Sequence, residues 1–371
     1  MPLKQPKEKI RYAVVGLGHI AQTAVLPAFK NAQENSKLVA LISGDKEKLK
    51  TLSEQYNVEK TYLHAEFEDC MRSGEVDAVY IATPNFFHRN LMETAAKYGV
   101  HVLCEKPLAV TTADCQSMIT TAEKNNTQLM VAYRLHLESA NLEAIRLAHS
   151  KKIGDLKIFN SMLTMQVKDN HDIRLDEVEK GGGPLYDIGI YCINAARYLF
   201  KSEPIEVMAM STSSKDSRFK KVDEVISASL KFPDGKIASF TVSFGSFPMS
   251  EFDLIGTKGR IKLEKAYEYS KSMTLKTFEE KKVISKRYPK RDQFGAELVY
   301  FSNCIQNKKK PEASGEEGLA DIKIIEALHL SLDLGSPITM DEIHKKARLE
   351  HKPSKGSFFL PKIFSNSAEK H

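Results

Sequence analysis

Short apolar runs alternate with helix-spaced segments through the first third of the chain, and this alternation restricts the fold more than any other feature. The runs are Tyr12–Gly16 (YAVVG), Leu38–Ile42 (LVALI), Asp77–Thr83 (DAVYIAT), His101–Cys104 (HVLC) and Gln128–Tyr133 (QLMVAY). Between them, residues 20–33, 45–57, 90–98 and 112–124 have helical spacing. Strands buried on both faces and separated by helices predict a doubly wound parallel sheet, an α/β fold. Sheets of this kind bind ligands beyond the carboxyl ends of their strands. Those ends are Gly16–Ala21, Ser43–Gly44, Thr83–His88, Glu105–Pro107 and Tyr133–Arg134, so Thr83, Pro84, Asn85, His88, Glu105 and Arg134 are candidate ligand contacts.

The pattern changes after residue 135. Helices are expected over 138–150 and 186–200, then strands over 205–212, 222–232, 236–246, 251–256 and 259–264. Hairpin turns fall at PDG (233–235) and GTKG (256–259). Short turns between successive strands predict an α+β domain with a large, mostly antiparallel sheet. Helices over 293–307 and 316–334 close it, and a tail from about residue 350 has little periodicity. The expected division is 1–134, 135–350 and an irregular tail, 351–371.

The chain has 371 residues, 42% hydrophobic and 27% charged, which is enough to bury a real core. Lys+Arg 54 against Asp+Glu 48 gives +6. The basic spots at Lys4, Lys7 and Lys9, from Lys281 to Arg291, and at Lys308–Lys310 read as solvated loops, so no nucleic-acid partner is expected. The cysteines form no C-x-x-C pair and the histidines no metal-ligand spacing. No apolar run reaches the length of a membrane span, and the polar N-terminus has no export-signal core. A cytoplasmic protein without metal or membrane partner is expected.

Gly16-Leu17-Gly18-His19-Ile20-Ala21 fits G-x-G-x-x-[GA], follows a strand and opens a helix. The glycines let backbone approach a pyrophosphate, and the helix start supplies N–H donors. An NAD site usually carries an acid at the tip of the second strand. Here that strand ends in Ser43-Gly44, followed by Asp45, Lys46 and Lys48. A hydroxyl with ammonium groups nearby suits a 2′-phosphate, favouring NADP over NAD. The plainer alternative is that Asp45 caps a helix and the lysines solvate it.

Glu105-Lys106-Pro107 leaves a buried strand with residues that do not belong in a core. In GGGPLYDIGIY, Asp187 and Tyr191 stand four apart, on one helix face. A tyrosine can take a hydroxyl proton when a nearby ammonium stabilises its phenolate, and Lys106 is a candidate if the second domain folds over the first. Gly181–Gly183 would permit close approach to a nicotinamide or substrate. The alternative is an exit turn, an N-cap, a core tyrosine and a plain loop.

Taken together, GLGHIA (16–21), ATPNFFH (82–88), HVLCEKP (101–107), YRLH (133–136), GGGPLYDIGIYCINAARYLF (181–200) and SGEEGLADI (314–322) resemble the glucose–fructose oxidoreductase/inositol dehydrogenase (Gfo/Idh/MocA) family. The resemblance implies an N-terminal Rossmann domain. It also implies a C-terminal domain whose open sheet forms a homodimer or homotetramer interface, and NAD(P)-linked chemistry on sugars or polyols. It places Lys106 at the catalytic centre with Asp187 and Tyr191. Tyrosine at 191 is similar to the glucose–fructose oxidoreductase and NADP-linked xylose and dihydrodiol dehydrogenase branch, where Ser43, Gly44 and Lys48 match the 2′-phosphate site. Tyr133, Arg134 and His136 match a segment facing cofactor and sugar, and Arg174 matches an arginine upstream of the glycines. About ten residues precede the first strand, without the proline-rich arm of secreted glucose–fructose oxidoreductases, so a dehydrogenase that exchanges NADP(H) is expected at least as much as a glucose–fructose oxidoreductase-like enzyme that retains it. The alternatives are a trans-dihydrodiol or other non-sugar dehydrogenase, or a non-catalytic dinucleotide-binding sensor.

Overall fold

The computed structural model describes residues 8–280 and 282–341. The tail beyond 350, the lysines at 4 and 7, and Lys281 lie outside the described residues.

The first sheet is built from β1 (Ile10–Val15), β2 (Ser36–Ser43), β3 (Lys60–Leu63), β4 (Ala78–Ile81), β5 (His101–Cys104) and β6 (Leu129–Val131). Its order is β3-β2-β1-β4-β5-β6 and every pair is parallel. Tyr12–Val15 and Ala78–Ile81 are fully shut from water, as central strands covered on both faces must be. The strand order reverses between β1 and β4, which opens a crevice at their carboxyl ends.

The crossovers include α1 (Leu26–Ala28), α2 (Lys46–Tyr56), α3 (Phe67–Arg72), α4 (His88–Lys97) and α5 (Thr112–Lys124). The helix expected over 20–33 is irregular. Ala21–Val25 is a π-turn, α1 is one turn with Pro27 in it, and Phe29–Asn31 is 3₁₀. Proline removes an N–H donor and widens the ladder at that point. β3 and α3 are additions to the elements expected from the sequence.

Among the described residues the second sheet has nine strands, in the order β14-β13-β12-β11-β7-β10-β9-β8-β15. They are β7 (Leu156–Gln166), β8 (Glu206–Thr212), β9 (Val225–Phe232), β10 (Lys236–Ser243), β11 (Gly245–Gly256), β12 (Gly259–Glu264), β13 (Met273–Glu279), β14 (Lys282–Tyr288) and β15 (Ile338–Thr339). Both expected hairpins are present, joining β9 to β10 and β11 to β12. Asp234 and Gly235 both have positive φ (61° and 69°), as a tight two-residue hairpin turn requires. One pair departs from the antiparallel pattern, because β7 and β10 run parallel. The basic stretch expected to be a loop at 281–291 is mostly β14, an edge strand whose partner among the described residues is β13.

The helices α6 (Ser139–His149), α7 (Ile190–Phe200), α8 (Gln293–Gln306) and α9 (Gly315–Leu334) tie the two sheets together. α8 returns to the first sheet, where Ser302 Oγ lies 2.8 Å from both the Tyr12 hydroxyl and Ser36 Oγ. The segment before α9 extends the far edge, with Val131 N–H donating to Ala313 O at 2.8 Å. The later part of the chain thereby holds the parallel sheet both at the starts of β1 and β2 and along its β6 edge. No helix among the described residues is long and apolar enough to cross a membrane.

Candidate active site

The backbone after β1 forms a cradle. Gly16 has φ +88°, and a Cβ there would sit 2.5 Å from Ala82 O, so only glycine fits. Gly18 is the reverse case, since its Cβ position meets nothing within 4 Å and faces open space. Leu17 is buried with its carbonyl accepting from Gln22 Nε2, His19 is exposed, and Ile20 is half-buried at the helix start. Beside them, Thr83 Oγ1 is buried without a hydrogen-bond partner. A Cβ-free opening and an orphaned hydroxyl at the strand-order reversal fit a dinucleotide's pyrophosphate.

At the tip of β2, Asp45 caps α2 by accepting from the N–H groups of Glu47 and Lys48 at 3.1 and 3.0 Å. Lys48 Nζ lies 3.2 Å from Asp45 Oδ2, and both side chains are partly solvated. Those bonds hold the Asp45 carboxyl below its ordinary range. Capping and an available ammonium therefore coexist here. Ser43 Oγ accepts from Asp45 N–H at 3.1 Å. His64, just after β3, joins this group without having been a sequence candidate: its Nδ1 lies 3.3 Å from where a Gly44 Cβ would stand.

After β4, Pro84 leads into Asn85, whose amide donates to Gly181 O at 2.8 Å. A Cβ on Gly181 would strike that amide at 2.7 Å, and one on Gly182 would strike Asp176 O at 1.9 Å. The glycine run thus allows the chain to approach itself, where the sequence suggested approach to a ligand. His88 is fully buried. Its Nε2 faces Thr83 O at 3.0 Å and its Nδ1 faces Pro107 O at 3.0 Å, so both ring nitrogens brace the loops that carry Thr83 and Lys106.

The catalytic candidates from both halves meet. Lys106 Nζ donates to Asp187 Oδ1 at 2.9 Å and to Asp187 O at 2.8 Å. The same ammonium lies 4.9 Å from the centroid of the Tyr191 ring. Arg174 Nε donates to Asp187 Oδ2 at 2.8 Å, and Asp172 holds the Arg174 guanidinium through both carboxylate oxygens. Arg134 sits 5.1 Å from the Tyr191 ring and donates to its hydroxyl at 3.3 Å, while being fixed by Gln293 Oε1 (2.5 Å) and Tyr267 O (2.7 Å). Glu105 accepts from the Tyr80 hydroxyl at 2.8 Å. Asp172, Gln293 and Tyr267 carried no sequence signal, because their roles depend on contacts made only in the fold.

Burial pushes the Asp187 carboxyl up, but Lys106 and Arg174 outweigh it and bring it down to about 2. Burial likewise opposes the Lys106 ammonium, and Asp187, with Tyr191 and Glu105, raises it above its ordinary value. Removing Asp187 takes away the largest interaction that opposes the burial cost, so the lysine must lose its proton more easily. In Asp187→Asn, the alkaline limb of the pH–kcat profile is expected to move toward neutrality. An alkaline limb that stays in place would disprove the coupling.

Two residues expected to face the sugar point inward instead. The Tyr133 hydroxyl donates to Asp321 at 2.5 Å, and His136 Nε2 lies 2.7 Å from Asn194 Oδ1. Asn194 and Arg197 also bond Asp321, making a buried network between β6, α7 and α9. Tyr191 backs onto a cavity of ≈ 30 Å³, about the room of one water, walled by His136, Asn194 and Tyr198.

Residues 10–133 match the model described as "Oxidoreductase family, NAD-binding Rossmann fold", and residues 141–262 match the GFO/IDH/MocA C-terminal domain. The chain belongs to the Gfo/Idh/MocA oxidoreductase family. It is 30% identical over 90% of its length, and 93% of the relative's, to D-xylose 1-dehydrogenase [NADP(+)] of Haloarcula marismortui. It is 27% identical to trans-1,2-dihydrobenzene-1,2-diol dehydrogenase of Xenopus tropicalis, over 68% of this chain and 74% of that one. Among solved structures, aldose-aldose oxidoreductase of Caulobacter crescentus, complexed with glycerol, superimposes with a TM-score of 0.85 at 35% identity, covering 90% of this chain and all of that one. The expected family and two-part α/β architecture are both borne out.

Proposed function

We propose that this protein is an NADP-dependent oxidoreductase that moves a hydride between a cyclic sugar or polyol and the cofactor. The observation that carries the reading is the Lys106–Asp187 pair, closed across the two halves of the molecule above the Tyr191 ring. The NADP-linked xylose dehydrogenase and aldose oxidoreductase relatives support the substrate class.

When bound, the nicotinamide would supply the hydride acceptor or donor. Gly16, Leu17, Gly18, His19 and Ile20 would hold the pyrophosphate, and Thr83, Pro84 and Asn85 the adjoining ribose, with His88 as a brace. Ser43, Gly44 and Lys48 would take the 2′-phosphate, and Glu105, Lys106 and Arg134 the nicotinamide end. Tyr191 exchanges the substrate hydroxyl proton. Lys106 and Arg134, on its ring faces, stabilise negative charge developing on the phenol oxygen. Lys106 has a third N–H to offer the substrate oxygen, while Asp187 and Arg174 fix its direction. Tyr133 and His136 act from below as supports for α7 rather than as sugar contacts. Residues 1–134 then serve as the cofactor unit and 135–350 as the substrate and assembly unit.

Residues on the outward face of the second sheet support a homodimer or homotetramer. Ile158 pairs with Ile237 across β7 and β10, and Met162, Met208 and Met210 are exposed on the same sheet. A trans-dihydrodiol substrate is the second reading, favoured by the dihydrodiol dehydrogenase relative and by Ile173, an exposed apolar side chain next to Arg174.

The test is a panel of aldoses, polyols and a trans-dihydrodiol, supplied with NADP⁺ or NAD⁺, read by the reduced-nicotinamide absorbance band. Growth of the band with NADP⁺ and an aldose is expected. No growth with any substrate, although NADP⁺ binds, would favour a sensor. In the same assay Lys48→Ala should raise KM for NADP⁺ about tenfold or more, the value of a charged hydrogen bond, and leave NAD⁺ unaffected. An equal effect on both cofactors would remove Lys48 from the 2′-phosphate site.

A further inference from the structure

Glu297, on α8, is fully shut from water, and neither oxygen of its carboxyl has a hydrogen-bond partner. One helical turn earlier, on the same face, Gln293 accepts from Arg134. That spacing sets Glu297 beside the exits of β5 and β6, where Glu105 and Arg134 stand. The Arg134 guanidinium is already committed to Gln293, Tyr267 and Tyr191. Glu105 is served by the Tyr80 hydroxyl and by the Lys106 N–H. An ionised carboxylate without a donor is very costly in such a place, so Glu297 holds its proton. Burial and then Glu105 push its carboxyl well above the ordinary range, with Arg134 opposing and Asp292 adding to the rise.

We propose that Glu297 is a positioning residue of the nicotinamide end of the site, protonated in the free protein and releasing its proton to solvent when the oxidised, cationic ring is seated. The inference rests on the cofactor reading above. The O–H bond of Glu297 breaks, its electron pair stays on the carboxylate, and the proton passes to buffer. The new charge is then balanced by the ring. A reduced ring is neutral and leaves the proton in place. The 2′-phosphate titrates alike in both cofactor forms, so the difference between them isolates the ring charge.

The experiment is titration calorimetry of the whole protein with NADP⁺ and with NADPH, in buffers of different ionisation enthalpy at one pH. More protons should be released with NADP⁺ than with NADPH, and the difference should vanish in Glu297→Gln while both cofactors still bind. An equal release with both cofactors in the unmodified protein, or an unchanged difference in the variant, overturns the proposal. Failure of either cofactor to bind the unmodified protein overturns the cofactor reading itself. Infrared difference spectroscopy on the unmodified protein decides the matter if the variant does not fold. The carbonyl band of a protonated carboxylic acid should bleach on adding NADP⁺ and persist with NADPH, and a band unchanged by NADP⁺ rejects the assignment.

Discussion

Replacing Lys106 by methionine is expected to lower kcat about a thousandfold and to leave NADP⁺ affinity within a few-fold of the original. The size follows from what the ammonium does. It is nearly buried, spends two donors on Asp187, and keeps the third for the reacting oxygen. Donors fixed in a water-poor site and aimed at developing charge account for factors of about 10²–10³ each, and an acid–base role adds to that. Methionine fills nearly the same stem volume, so packing survives and the loss reports chemistry. Steady-state kinetics and a cofactor titration on one preparation make the comparison. Turnover within tenfold of the unmodified protein would remove Lys106 from the mechanism.

The second large effect is expected from Tyr191→Phe. The change removes one oxygen and leaves the ring against Lys106 and Arg134. Arg134 keeps its bonds to Gln293 and Tyr267, so stability should change by no more than about 1 kcal/mol, the net value of one hydrogen bond. Turnover should fall about 10²–10⁴-fold, the usual contribution of a positioned proton-transfer group. A thermal melt that barely shifts, beside a collapsed kcat, is the expected signature. Retained turnover would mean that another group, or water, takes the proton.

What could be read from the sequence was local in origin. The parallel sheet was legible because its strands other than β3 (KTYL) are largely continuous apolar runs, and both hairpin turns because PDG and GTKG announce themselves. β7 was missed because Lys157, Asn160 and Ser161 interrupt its apolar pattern, with Ser161 buried and bonded to Tyr267 and the Glu251 carbonyl. β14 was missed because its outward lysines and arginine suit a solvated edge strand as well as a loop. The site divides in the same way. Lys106, Asp187 and Tyr191 stood in motifs, and the fold brings them together. Tyr133 and His136 stood in a motif too, but Asp321 lies 188 residues from Tyr133, and only tertiary structure shows which way the hydroxyl turns. Asp172, Gln293 and Glu297 have no local pattern, since their significance comes from what α8 and the 172–183 loop are packed against.

The most direct test of hydride transfer at this site uses an aldose deuterated at its anomeric carbon, incubated with the protein and NADP⁺, with the recovered cofactor weighed by mass spectrometry. The account predicts that the reduced cofactor carries the deuterium and that Lys106→Met abolishes the transfer. Reduced cofactor without deuterium would mean that the hydrogen does not pass directly from that carbon, and transfer undiminished in Lys106→Met would contradict the site assigned to it.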